Sequence, residues 1–151
     1  MEKSLILVKP DGLQRGLVGE IISRFERKGL KIIGLKMLSI EDSTLEQHYE
    51  HLADKPFFSD IKEFMKSSPI VAIALEGGEG AVSAIRTLVG PTKGQEAPGG
   101  TIRGDFGLSG SNNIVHASDS VENGRVEVDR FFDGNELFEY TKTDFDHIYG
   151  R

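Results

Sequence analysis

The chain has 151 residues and a mass of 16.6 kDa, a length that suits a single domain over residues 1–151 with one ordinary core. Its 38% hydrophobic and 28% charged residues match a soluble globular protein, while a net charge of −6 and a pI near 5.2 argue against nonspecific nucleic-acid binding. There is no cysteine, which excludes disulfides and thiolate metal sites. An anionic substrate must be met by a local basic cluster, because the surface as a whole is acidic.

Leu5-Ile6-Leu7-Val8 reads as a strand buried on both faces, too short for a signal peptide or a membrane span, so a cytoplasmic location is expected. Lys9-Pro10-Asp11-Gly12 reads as a turn, which leaves Lys9 at the strand exit. Val18, Ile21, Ile22 and Phe25 mark one face of a helix that Gly29 ends. Leu30 to Ile40 is a second strand, with Gly34 suggesting a bulge. A helix starting at Ser43 or Thr44 and another over Phe57 to Ser67 form an inserted hairpin broken by Pro56, with His48 and His51 expected on its surface.

Pro69 to Leu75 is almost purely apolar and is read as a central strand. Gly80 to Val89 is a helix that buries Val82, Ile85 and Val89 and leaves Arg86 off the apolar stripe. Gly90 to Asn112 shows no periodicity, and so long an irregular stretch asks for a functional reason. The strand carrying His116 follows, then a helix through Val121, Val128 and Phe131 despite Gly124, then a mixed tail with a short helix near Thr143 to Tyr149. Reduced to its core the order is β-α-β-β-α-β, an α+β ferredoxin-like unit with an antiparallel sheet, an inserted helical hairpin and a long loop.

Asn113-Ile114-Val115-His116-Ala117-Ser118-Asp119 concentrates the chemistry. Ile114 and Val115 favour a short buried strand, small residues leave space beside the imidazole, and Asp119 with Glu122 suggests a capping box opening the next helix. His116 is thus expected where a strand stops and a helix begins, a place that suits an anion. A neutral imidazole there can attack a phosphate, although a lone histidine at a strand end is more often a half-buried packing residue. Glu127, eleven residues on, either orients the ring or faces solvent. Gly77-Gly78-Glu79-Gly80 reads as a tight turn, since Glu79 would repel a pyrophosphate; no Walker A pattern exists; and His48, His51 and His147 lack the spacing of a metal cage.

The run Asn113 to Asp119 resembles the active-site signature of the nucleoside diphosphate kinases. Thr101-Ile102-Arg103-Gly104-Asp105-Phe106 resembles the segment preceding it in that family, and Leu7-Val8-Lys9-Pro10-Asp11-Gly12 the family's start. The resemblance implies the ferredoxin-like fold and transfer of a γ-phosphoryl group, chiefly from ATP, to a nucleoside diphosphate through a phosphohistidine on His116. It implies that Lys9 and Tyr49 approach the γ-phosphate, that Arg86, Thr92 and Arg103 hold the other phosphates, and that Asn113 contacts the ribose. Phe57 would stack on the base with Ile61 nearby, and Glu127 would fix the imidazole tautomer. Mg2+ would bridge the phosphates with Asp119 as nearest ligand, and the chain would form a homo-oligomer, hexamer or tetramer.

Asn112, Gly110, Gly94 and Gly99 depart from the usual family pattern, the last two in a loop that makes subunit contacts in the family. Two other classes compete, a nucleotide-sensing scaffold without turnover and a nucleic-acid-binding ferredoxin-like domain. Acidity and the lack of paired strand aromatics count against the latter, and His116 together with Lys9, Arg103 and Glu127 counts against the former.

Overall fold

A computed structural model describes residues 1–150 and contains one four-stranded antiparallel sheet in the order β2-β3-β1-β4. The strands are β1 (Glu2–Val8), β2 (Lys31–Leu38), β3 (Ile70–Gly77) and β4 (Val115–Ala117). Helices α1 (Pro10–Gln14) and α2 (Val18–Lys28) join β1 to β2, and α3 (Asp42–His48) and α4 (Phe58–Met65) lie between β2 and β3. Then come α5 (Ala81–Val89), α6 (Ile102–Phe106), α7 (Val121–Phe131) and α8 (Phe145–Tyr149). With the hairpin and the long loop set aside, this is the ferredoxin-like β-α-β-β-α-β unit. Among the described residues no helix is long and apolar enough to cross a membrane.

Period-2 alternation along β1 sends Ile6 and Val8 to one side of the sheet and Leu5 and Leu7 to the other, all fully buried. The first side packs on α2 and α5 through Ile21, Phe25 and Ile85, the second on the hairpin and α7 through Leu45, Met65, Val128 and Phe131. Two cores on one sheet explain why the middle strands read as unbroken apolar runs. The β2–β3 register shifts between Ile32 and Gly34, the bulge anticipated there.

Local expectations needed revision in four places. Lys9-Pro10-Asp11-Gly12 is not a free turn: Lys9 is the N-cap of α1 and Pro10 takes its first position, where a missing N–H costs nothing. The stretch 90–112 is not wholly irregular, because α6 forms there with Thr101 Oγ1 accepting from Gly104 N at 2.9 Å. Five residues are too few to show a hydrophobic period. Ser120, not Asp119, caps α7: its hydroxyl accepts from Asn123 N at 3.1 Å, and Asp119 instead accepts from the Asn123 side chain at 2.6 Å. His116 stands in the middle of β4, not at its end.

The Gly77-Gly78-Glu79-Gly80 turn is closed by the chain itself. Glu2 accepts from Gly80 N and Val82 N, both at 2.9 Å, so the amides that open α5 already hold a carboxylate. Gly124 inside α7 has a different reason. A Cβ there would lie 1.9 Å from Lys3 O, so the glycine lets α7 rest directly on the β1 backbone. Helix propensity favours alanine by about 1 kcal/mol, but a backbone clash cannot be relieved by a rotamer change and costs about 1–3 kcal/mol or more. Gly124→Ala should therefore destabilise the protein, lowering Tm by several degrees in a calorimetric scan. An unchanged or raised Tm would show that α7 can lift off β1 freely.

Candidate active site

The site begins with an unusual piece of backbone. Ile114, β-branched and fully buried, has φ +75°, while Val115 N donates to Asn113 O at 2.8 Å, closing a γ-turn just before β4. Its remaining groups are held from the start of α1: Ile114 N donates to Asp11 Oδ2 at 3.0 Å, and Lys9 N donates to Ile114 O at 2.8 Å. Arg103, 4% exposed, clamps the same turn by donating to Asn113 O, Gly90 O and Val115 O at 3.2, 3.0 and 2.6 Å. Burial and the nearby Arg86 push the Arg103 guanidinium down to about 10, which leaves it charged at neutral pH.

Beyond the turn, β4 carries the imidazole. His116 Nε2 lies 2.8 Å from Glu127 Oε1, and the same oxygen accepts from Ser118 Oγ at 2.6 Å. Ser118 Oγ accepts in turn from Leu5 N at 2.9 Å, which ties the set to the middle of the sheet. Burial pushes the Glu127 carboxyl up, yet the hydrogen bonds from His116 and Ser118 outweigh it and hold the group below the ordinary carboxylate range. An ionised Glu127 accepts the proton of Nε2, so the lone pair resides on Nδ1, the ring nitrogen turned away from it.

Two hollows meet at Tyr49. The first, about 620 Å³, is lined by Lys9, Phe57, Ile61, Thr92 and Asn113; the second, about 690 Å³, by Arg86, His116, Asp119 and Glu127, and Tyr49 lines both. Phe57 is 47% exposed while Phe58 is 8% exposed, which divides the adjacent aromatics into one free face and one core side chain. Lys9 Nζ donates to Asn113 Oδ1 at 2.7 Å, and Asn113 Nδ2 donates to Thr92 O and Gly110 O at 3.2 and 3.3 Å. Burial, with Arg103 nearby, pulls the Lys9 ammonium down to about 8. Burial and then Glu127 push the Tyr49 phenol up to about 12, so it is a donor at neutral pH. Arg86, at the flank of the apolar stripe of α5, donates to Ala117 O at 3.2 Å.

The structure thus brings together every candidate except Arg103, which lines neither hollow and supports the γ-turn from behind. Sequence reasoning missed others. His48 is not a surface residue: it is 6% exposed, and its ring meets His116 edge-on at a centroid distance of 4.5 Å. Its position three residues from the core residue Leu45 was a usable signal. Ser118 lies two residues from His116, on the same face by strand alternation. Asp11 gave no local sign of its role.

Cations have two conceivable seats. Asp119 is a carboxylate at the rim of the second hollow and suits Mg2+ shared with phosphate oxygens. Donor atoms of His48, His116 and Glu127 lie within 4.8 Å of one another, a set that would suit zinc or copper rather than Mg2+. However, Arg130 Nη1 lies 3.1 Å from His48 Nδ1, and a guanidinium can only donate, so the His48 proton sits on Nε2. That nitrogen has no lone pair to offer, and the trio is not a ready metal cage.

The geometry agrees with what the chain is similar to. A family model described as nucleoside diphosphate kinase matches residues 2–137. The nucleoside diphosphate kinase of Archaeoglobus fulgidus is 50% identical over 99% of this chain and 98% of its own, and that of Staphylothermus marinus 53% identical over 92% and 98%. A crystal structure of a family protein from Babesia bovis superposes with a TM-score of 0.94 at 44% identity, covering 99% of this chain and 100% of the other. The halophilic enzyme of Halobacterium salinarum, solved in complex with CDP, gives 0.93 at 39% identity, with 98% of each chain covered. This chain belongs to the nucleoside diphosphate kinase family and is a phosphotransferase acting between nucleoside triphosphates and diphosphates.

Proposed function

We propose that the γ-phosphoryl group, chiefly of ATP, passes first to His116 and then to a nucleoside diphosphate, in a ping-pong reaction with broad base tolerance. The observation that carries this reading is the 2.8 Å contact between His116 Nε2 and Glu127, which leaves the Nδ1 lone pair to attack. A bond forms between Nδ1 and the γ-phosphorus, the bond from that phosphorus to the β,γ-bridging oxygen breaks, and the diphosphate leaves with the electron pair. A terminal oxygen of the second diphosphate then attacks the phosphorus, and the lone pair returns to Nδ1. One clamp used twice needs such an intermediate, because both partners are nucleotides.

In this reading Lys9 and Tyr49 donate to the transferred group, and Arg86 and Thr92 hold the remaining phosphates. Arg103, which lines neither hollow, adds its buried positive charge from behind the turn it clamps. Asn113 reaches the ribose, while the exposed face of Phe57, with Ile61, stacks on the base. Asp119 would hold Mg2+ brought with the phosphates, and the ion would supply positive charge to offset that of the phosphate oxygens. A homo-oligomer is supported by edge strand β2, where Leu35 and Met37 are 50% and 62% exposed, and by the long loop before β4.

Incubation of the pure protein with labelled ATP and no acceptor should leave acid-labile, alkali-stable phosphate on the chain. His116→Ala should lose label and turnover together; Glu127→Ala should still form the adduct, about 10- to 1,000-fold more slowly. Absence of label from the wild-type protein refutes the route. Stacking treats all bases nearly alike, at about 1–3 kcal/mol each. GDP, CDP and UDP should therefore differ as acceptors by less than about 1,000-fold, which corresponds to roughly 4 kcal/mol; a larger preference would reveal a base-reading contact. Light scattering at micromolar concentration should report a particle several times 16.6 kDa, and a monomer would refute the assembly.

A further inference from the structure

One buried polar atom at the site has no use in the scheme above. His48 Nε2 is buried without a hydrogen-bond partner, in a ring 6% exposed. Arg130 fixes the proton on this nitrogen by donating to Nδ1, so Nε2 is an unspent donor rather than an acceptor. A buried N–H without a partner is costly, and such atoms are rare enough to need a reason. The ring meets Tyr49, His116 and Phe131 edge-on, at centroid distances of 4.9, 4.5 and 5.3 Å, so packing restricts its rotation. The His48 and His116 rings lie side by side, yet no hydrogen bond joins them, since His48 Nε2 is without a partner. A phosphoryl group on His116 would carry its oxygens outward from the ring, into the hollow that both histidines line.

The geometry points to His48 as a catalytic donor whose Nε2–H binds an oxygen of the phosphoryl group carried by His116. This role rests on the phosphohistidine reading and deepens it. The donor is idle in the free protein and engaged once negative charge is delivered beside it, so its contribution falls on the transferred group rather than on the nucleotide. Burial first, then the neighbouring His116 and Arg130, push the His48 imidazole down to about 3. The ring therefore stays neutral, with the proton on Nε2, across the working pH range. Tyr49, the next residue, lines the same hollow, so the end of α3 places two neutral side chains there beside the cationic Arg86.

The test measures single-turnover transfer from labelled ATP to wild-type protein, His48→Phe and His48→Gln in a quench-flow instrument. Phenylalanine keeps a ring in the packing and removes the donor; glutamine places an N–H near the position of Nε2. His48→Phe should slow formation of the adduct ten- to a hundredfold, the range for one hydrogen bond to a charged group. Its nucleotide affinity should hold, and His48→Gln should recover most of the rate. Equal rates in wild type and His48→Phe, or a glutamine variant as slow as the phenylalanine one, overturn the proposal while leaving the phosphohistidine reading intact. No adduct in the wild-type protein overturns the phosphohistidine reading itself. Should a variant fail to fold, nitrogen-15 spectra of the wild-type imidazoles decide. The His48 proton should sit on Nε2 and its resonance should move downfield when His116 is phosphorylated; a proton on Nδ1, or an unmoved resonance, refutes the assignment.

Discussion

The strained turn at Ile114 is the constraint on which the site depends. A β-branched residue at positive φ costs on the order of 1–3 kcal/mol and persists only where surrounding bonds over-determine it. Here they do. Asp11 takes the Ile114 amide, Lys9 supplies an amide to the Ile114 carbonyl, and Arg103 grips the carbonyls on either side of that residue. The residues that make the site cationic are thus also the ones that hold its backbone in shape. Removing the side chain of Asp11 or Arg103 would leave a strained turn and an unpaired buried group together, so its effect would exceed that of a single contact.

Charge is arranged against the overall balance of the molecule. The chain is acidic, yet Lys9, Arg86, Arg103 and Arg130 converge around one imidazole and one half-buried carboxylate. Crowding and burial push Lys9 down to about 8 and Arg103 down to about 10, as expected for cations poorly matched by anions. In the proposed reading a polyphosphate would supply the missing negative charge. The free protein therefore carries a local excess of positive charge that substrate relieves, while the acidic surface disfavours polyanions elsewhere.

Most of the layout was legible in the sequence. Apolar spacing located the strands and the long helices, because each buries a continuous face and writes its own period into the chain. Residue types and their order around His116 were sufficient to indicate the chemistry. Short elements escaped: α6 has no period to show, and the cap of α7 moved by one residue, since Asp119 and Ser120 are both good caps and only backbone geometry separates them.

By itself, the sequence determined the succession of strands and long helices, the two apolar faces of each central strand and the histidine offered as candidate nucleophile, all properties of neighbouring residues. Only the tertiary structure decided what those residues do for one another. Lys9 and Asn113 meet across 104 positions, and Asp11 and Ile114 across 103, so no local pattern announces either bond. Packing of α3 and α7 on the sheet turned His48 inward, the start of α4 divided Phe57 from Phe58, and the seating of α6 spent Arg103 on backbone carbonyls. The physical reason is that burial and hydrogen-bond pairing depend on distance in space, whereas propensity and periodicity depend on distance along the chain.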